Sequence, residues 1–258
     1  MSSRRGLALA LLAICCAPLA AEEIPPAARR SGFDQMTPEL RAMQQDDAAN
    51  PGVLWAADGL DAWAAPASSG RPSCAGCHGD ITAMRGVAAR YPAWDETEGR
   101  PVDLAGRIDL CRIRHQGEAP LPRESRPLLA LTAAVAMQSR GMPVAPPADP
   151  RLDAARAEGR ALFTRRMGQL DLSCAGCHDA HWGRHLGAGI IPQGHPNGYP
   201  LYRLEWQDLG SFQRRLRNCL VGMRAEPYPA GAPEAVALEL YLMQRAAGLP
   251  VEAPAVRP

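Results

Sequence analysis

The chain is 258 residues long, 47% apolar and 21% charged, enough for one large or two small cored domains and too apolar for a disordered chain. Its 28 cationic side chains, all arginine, offset 27 acidic ones to leave a net charge of +1, so no basic excess points to nucleic acid. With 24 glycines, 25 prolines and 5% aromatic residues, the composition favours helices joined by long, punctuated loops over an aromatic-rich sandwich or barrel, and a mainly α fold is expected.

Arg4-Arg5 opens an apolar run from Leu7 to Ala21 that stops at Glu22-Glu23. The run is shorter than the ~20 residues of a membrane span, and Leu19-Ala20-Ala21 suits cleavage. Residues 1–21, which include Cys15 and Cys16, therefore read as a secretory signal peptide, and the mature chain as exported. No other long apolar run occurs, so no membrane span is expected. Residues 22–50 read as an N-terminal extension.

Six cysteines remain, at 74, 77, 111, 174, 177 and 219, and four of them fall in two copies of one pentapeptide, CAGCH, at 74–78 and 174–178. Other fragments recur near the same offset. Gly59-Leu60-Asp61-Ala62-Trp63 matches Gly159-Arg160-Ala161-Leu162-Phe163, and Met137-Gln138 before Gly141-Met142-Pro143-Val144 matches Met243-Gln244 before Gly248-Leu249-Pro250-Val251. The chain reads as a tandem duplication, with repeats over 51–145 and 153–250. A linker over 146–152 lies in the proline-rich run Pro143 to Pro150, and 251–258 reads as a tail.

The lone cysteines correspond as well. Cys111 and Cys219 each have an arginine four residues before, Arg107 and Arg215, and a glutamate seven after, Glu118 and Glu226. Leu209, Phe212, Leu216, Leu220 and Met223 recur at spacings of three and four, which predicts an amphipathic helix with Cys219 on its apolar arc and Arg215 one turn back. Leu104, Ile108 and Cys111 repeat the pattern, and segments 126–140 and 233–247 are predicted as the last helix of each repeat.

C-x-x-C-H is an attachment sequence for c-type haem: two thiols three residues apart reach the two vinyl groups of one porphyrin, and the next imidazole lies over the iron. Two copies in an exported chain point to two covalently attached haems, on Cys74 with Cys77 and on Cys174 with Cys177, rather than to zinc or structural pairs. His78 and His178 are the proximal ligands. For the second axial positions the repeat offers Cys111 and Cys219, whose thiolates would lower the iron's reduction potential. The residues leave rivals open: a disulfide or plain buried thiols for the two cysteines, and Met137, Met243, His115 or Met223 as ligands.

The stretch from CAGCHDAHWG at 174 to MRAEPY at 228, with LCRIRHQGEAPLPRESRPLLALTAAVAMQSRGMPV at 110–144 and NPGVLW at 50–55, resembles the SoxA family, dihaem subunits of the SoxAX cytochrome of thiosulfate oxidation. The resemblance runs in order along nearly the whole mature chain. It implies two cytochrome c-like domains with long haem-wrapping loops, and a periplasmic heterodimer with a SoxX-like monohaem cytochrome c. It also implies oxidative conjugation of thiosulfate to a cysteine of the SoxYZ carrier protein, with two electrons passing to a small cytochrome c. Residue by residue, it implies His78 with Cys111 on the first iron and His178 with Cys219 on the second, Cys219 as the active-site cysteine persulfide, and Arg215 as the substrate-binding arginine.

The chemistry of these residue types agrees. A guanidinium can hold a sulfonate through two parallel charge-assisted hydrogen bonds, and nearby positive charge favours the reactive thiolate. Arg214, Arg217 and Arg224 add charge, Arg214 and Arg217 reading as a solvated helix face. His181, His185 and His195 match no zinc spacing and are expected to hydrogen-bond in the loop around the haem edge. Trp182 and Trp206 are expected to pack there, with Pro192, Pro196 and Pro200 stiffening the path. Two rival functions use the same haem boxes, a pure electron carrier and a thiosulfate dehydrogenase that forms tetrathionate; the Arg215 and Cys219 pair favours the transferase.

Overall fold

The computed structural model describes residues 24–258; the signal peptide expected over 1–21 lies outside the described residues. Helices predominate, as the composition predicts. The N-terminal extension carries α1 (Pro38–Gln45). The first half of the chain holds α2 (Pro51–Ala64), the one-turn α3 (Cys74–His78), α4 (Leu104–Cys111) and α5 (Arg126–Met137), and the second half α6 (Asp153–Thr164), the one-turn α7 (Cys174–His178), α8 (Phe212–Gly222) and α9 (Pro233–Arg245). Side-chain caps fix the starts that matter for the site. The Ser73 and Ser173 hydroxyls accept from Gly76 and Gly176 N at 3.0 Å, the Asp103 carboxylate from Gly106 N at 2.7 Å, and the Ser211 hydroxyl from Arg214 N at 3.1 Å.

The core is built on two helix crossings, α2 with α5 and α6 with α9. Both are made at a glycine. A Cβ on Gly59 would come within 2.1 Å of the Ala130 carbonyl oxygen, and one on Gly159 within 2.1 Å of the Ala237 carbonyl oxygen, so each pair of backbones approaches more closely than any side chain permits. Trp63, Ile81, Leu131 and Val135 pack around the first crossing against Cys74, and Leu162, Phe163, Leu216 and Leu238 around the second against Cys174 and Tyr199.

Short strands position the lone cysteines. β1 (Ala93–Asp95) pairs antiparallel with β2 (Arg100–Val102) just before α4. After α7 come the hairpin β3 (His185–Leu186) and β4 (Gly189–Ile190), then the antiparallel pair β5 (Leu201–Arg203) and β6 (Asp208–Gly210) just before α8. Leu209 thus lies in β6 and not in the helix its spacing predicts: paired with Tyr202, it is held in the sheet, and the helix begins only after the Ser211 cap. The predicted last helices end at Met137 and Arg245, short of 140 and 247.

The two halves meet through their matching ends. Gly141 N donates to Val251 O, Val251 N to Met142 O and Val144 N to Leu249 O at 2.8 Å each, and Gly248 N to Val144 O at 2.9 Å, a reciprocal pairing centred on Pro143 and Pro250. Residues 251–258, expected as a tail, instead contribute β7 (Ala255–Arg257), which runs parallel to β5 and is buried at Ala255 and Val256. The N-terminal extension folds back onto the second half, where Arg30 N donates to Gln193 Oε1 at 2.7 Å and Asn50 Nδ2 to Pro254 O at 2.9 Å. Among the described residues no helix is long and apolar enough to cross a membrane.

Candidate functional site

In the second half, α7 carries Cys174 and Cys177 on one turn with His178 at its end. His178 Nδ1 meets the Pro192 carbonyl at 2.7 Å. A carbonyl only accepts, so Nδ1 carries a proton and Nε2 is the ring nitrogen left for another partner, as in metal-binding histidines. The loop comes this close at Gly194, whose φ is +79° and where a Cβ would stand 3.1 Å from the imidazole.

The apolar face of α8 brings Cys219 to the same imidazole, within hydrogen-bonding reach of His178. Burial raises the Cys219 thiol, but the His178 hydrogen bond and the charges of Arg215, His178 and Arg203 outweigh it, leaving its pKa below the ordinary thiol value. Burial and the neighbouring Cys219 sulfur push Cys174 up to about 12 and raise Cys177 as well. Three sulfurs and one imidazole therefore lie close together. The Tyr199 phenol, pushed up to about 12 by burial, faces Arg215 and Cys219 there.

The first half repeats the parts with different electrostatics. His78 is exposed at the end of α3, its ring 5.7 Å from that of Trp63, whose Nε1 donates to Gly79 O at 3.0 Å. Cys111 closes α4 and leads into a π-helical turn, Arg112–Gln116, from which Gln116 Nε2 reaches Cys74 Sγ at 3.7 Å. Burial raises the Cys111 thiol, and the charges of Arg107 and Arg114 only partly offset it, because Asp95 acts against them. Arg107 donates to Asp95 Oδ2 at 2.5 Å and to Tyr91 Oη at 3.0 Å, and Arg114 donates to both Asp95 oxygens at 2.9 Å. The hydrogen bonds from Arg114 hold Asp95, only 1% exposed, well below the usual carboxylate range.

The donor chemistry fits covalently attached haem at both pentapeptides. No disulfide joins Cys111 to Cys219 among the described residues. Of the rival ligands, Met243 and Met223 are buried in core clusters, that of Met223 packing against Cys174 and Tyr199, Met137 packs against another cluster, and His115 is exposed. Each pentapeptide keeps its thiol pair, its imidazole and a cysteine from the following helix.

The remaining histidines divide. His181 Nδ1 bonds the Gly176 carbonyl at 2.5 Å, as expected of a loop histidine, and His185 is exposed on β3. His195 corrects the expectation: neither ring nitrogen has a hydrogen-bond partner, and burial pushes its pKa down to about 3. Trp182 is 44% exposed and not packed. Trp206 lies 4.4 Å from the Arg214 guanidinium, and Arg214 pairs with Asp208 at 2.9 Å, so of the two arginines expected on a solvated face only Arg217 is exposed there. Among the described residues no three or more His, Cys, Asp or Glu side chains form a site for a bare metal ion. Sequence reasoning missed the Pro192 carbonyl, Tyr199 and Arg203. The signal for the last two was a Tyr-Pro dipeptide standing twenty residues ahead of each lone cysteine, at Tyr91 and Tyr199.

A family model for the SoxA/TsdA cytochrome c domain matches residues 58–144. Over 229 residues, 88% of this chain and 80% of the relative, the chain is 38% identical to the L-cysteine S-thiosulfotransferase subunit SoxA of Pseudaminobacter salicylatoxidans. Over the same shares it is 36% identical to the protein of that description from Rhodovulum sulfidophilum. The crystal structure of SoxXA from P. pantotrophus matches with a TM-score of 0.85 at 32% identity, covering 89% of this chain and 87% of that one. The fold is cytochrome c-like, and its cofactor is c-type haem.

Proposed function

This chain belongs to the SoxA family of L-cysteine S-thiosulfotransferase subunits, and from that premise we propose that Cys219 is its reaction centre and Arg215 its thiosulfate clamp. The observation that carries the reading is the convergence of His178 and Arg215 on Cys219, with the thiol shifted toward its thiolate.

In this reading the chain is a tandem pair of cytochrome c-like halves with long haem-wrapping loops. Support comes from the matched glycine crossings and the reciprocal pairing of residues 141–144 with 248–251. Two haems would attach to Cys74 with Cys77 and to Cys174 with Cys177, with His78 and Cys111 available to hold the first iron and His178 and Cys219 the second. A haem held at the second site supplies an electron acceptor whose thiolate ligand sets a low potential. The Pro192 carbonyl fixes the His178 tautomer and ring direction. The Arg215 guanidinium holds the sulfonate by paired hydrogen bonds and, with the His178 hydrogen bond, favours the nucleophilic form of Cys219. The net conversion joins the outer sulfur of thiosulfate to a carrier cysteine thiolate as a new S–S bond and releases two electrons, the thiol proton having left to solvent. The carrier is SoxYZ, the electrons leave to a small cytochrome c, and the first site is structural or stores electrons.

The chain works in the periplasm, after removal of residues 1–21, as a heterodimer with a SoxX-like monohaem cytochrome; the likeness to a SoxXA structure supports that partner. Purified heterodimer with thiosulfate and oxidised cytochrome c should reduce the cytochrome only when carrier thiol is present. Tetrathionate formed from thiosulfate alone would identify a thiosulfate dehydrogenase instead.

A further inference from the structure

The two halves align without a gap from the Tyr-Pro dipeptide to the lone cysteine. Ala93 pairs with Val102 and Asp95 with Arg100, while Leu201 pairs with Gly210 and Arg203 with Asp208. Asp103 and Ser211 then cap the helices, and Arg107 and Arg215 follow at the same place. In this register Arg203 stands where the first half has Asp95. The charges across the hairpin are inverted, Asp95 facing Arg100 in one half and Arg203 facing Asp208 in the other.

The inversion changes what the cysteine-side arginine can do. In the first half the carboxylate of Asp95 neutralises Arg107 at 2.5 Å and also engages Arg114. In the second half no carboxylate among the described residues lies within ion-pairing distance of Arg215, the Asp95 position holds a second guanidinium, and the charges of Arg203 and Arg215 both act on Cys219 and Tyr199. Arg203 is only 18% exposed at its side chain, lies 5.4 Å from the Trp206 ring and donates through Nε to Glu205 Oε2 at 2.9 Å, with no hydrogen bond from its terminal nitrogens among the described residues. Asp208, its partner across the hairpin, is taken by Arg214 at 2.9 Å. Glu205 is 65% exposed and offsets Arg203 only weakly, so two half-buried cations act on Cys219 and a ligand carrying two negative charges can engage both.

We propose that Arg203 is a second substrate-binding residue of the Cys219 site, which together with Arg215 makes it selective for a small dianion such as thiosulfate. This deepens, and rests on, the assignment of Cys219 and Arg215 above. It also gives a reason for two like halves to differ in role, since the Asp95 carboxylate would repel the same ligand from the first.

The test is steady-state kinetics of the holo heterodimer with carrier thiol as acceptor. Loss of one charge-assisted contact to a dianion predicts that Arg203→Gln raises the thiosulfate KM about 10- to 100-fold with kcat within about threefold of wild type. Arg203→Lys should recover most of the affinity, and Arg203→Asp, which copies the first half, should abolish saturation by thiosulfate. Arg85→Gln, which removes one exposed charge from the other half, should leave KM unchanged. An unaltered KM in Arg203→Gln, or an equal rise in Arg85→Gln, overturns the proposal. If Arg215→Ala still raises KM in that case, only the role of Arg203 fails; if the wild-type heterodimer shows no carrier-dependent turnover, the assignment of the site fails first.

Discussion

A methyl group added at Gly159 tests the architecture that holds the second site together. In Gly159→Ala the new carbon would lie 2.1 Å from the Ala237 carbonyl oxygen, against about 3.3 Å for a relaxed carbon–oxygen contact. The obstruction is backbone, which cannot swing aside as a side chain does, so α6 and α9 must part by about 1 Å. Separation loosens the packing of Leu162, Phe163 and Leu238. Overpacking of this kind costs about 1–3 kcal/mol, the upper end applying where backbone is struck, and alanine's helix propensity returns about 1 kcal/mol. The net loss of about 1–2 kcal/mol corresponds to a fall in Tm of roughly 2–8 °C. Far-UV circular dichroism of the holo protein on heating reads it. Gly59→Ala, with the same 2.1 Å approach to Ala130, should lose a similar amount. Unchanged or higher Tm in both variants would refute the close crossings and the equivalence drawn from them.

Other residues give sharper chemical tests. Asp95→Asn leaves Arg107 and Arg114 without their shared carboxylate and should cost about 1–3 kcal/mol in urea unfolding, less than a fully buried pair because both arginines are partly exposed. Because the folded state depresses the Asp95 pKa, its contribution is complete above the unfolded aspartate value and is lost as pH falls through the folded one, so the gap between wild type and Asp95→Asn should close in acid. Glu239 is shifted the other way, raised by burial and by Asp103 beside it. Its folded state binds a proton that the unfolded state releases, so stability should decline as pH rises above the ordinary carboxylate range, and Glu239→Gln should flatten that slope in urea midpoints taken across pH. Met243, packed among Ala136, Val144 and Val251, is a core residue, and Met243→Leu should leave the haem absorption spectrum unchanged at a cost below about 1.5 kcal/mol.

Much of the site could be read from residues alone because covalent haem attachment and helical spacing are short-range rules. The CAGCH boxes, the helix carrying Cys219 and the arginine one turn before it are all local patterns, and α4, α7 and α8 fall where those patterns put them. What escaped was non-local. Leu209 satisfies the helical period yet belongs to β6, because pairing with Tyr202 decides its place and periodicity cannot register a partner strand. The last eight residues read as a tail, but β7 completes the sheet with β5, a pairing that no local pattern announces. His195 is expected to find a hydrogen bond and instead is buried without one, under the charges of Arg245 and Arg29 brought near by the fold. The charge inversion between Asp95 and Arg203 was present in the sequence and became meaningful only once the hairpin registers fixed the alignment.

The central claim is that Cys219, and not its counterpart Cys111, carries sulfur during turnover. The most direct measurement is the mass of the tryptic peptide Asn218–Arg224, taken without reductant from holo heterodimer incubated with thiosulfate and oxidised cytochrome c. It should carry added sulfur or a thiosulfonate group that dithiothreitol removes, while the Cys111 peptide, residues 108–112, stays unmodified. A plain thiol at Cys219 in enzyme that is turning over thiosulfate would contradict the account.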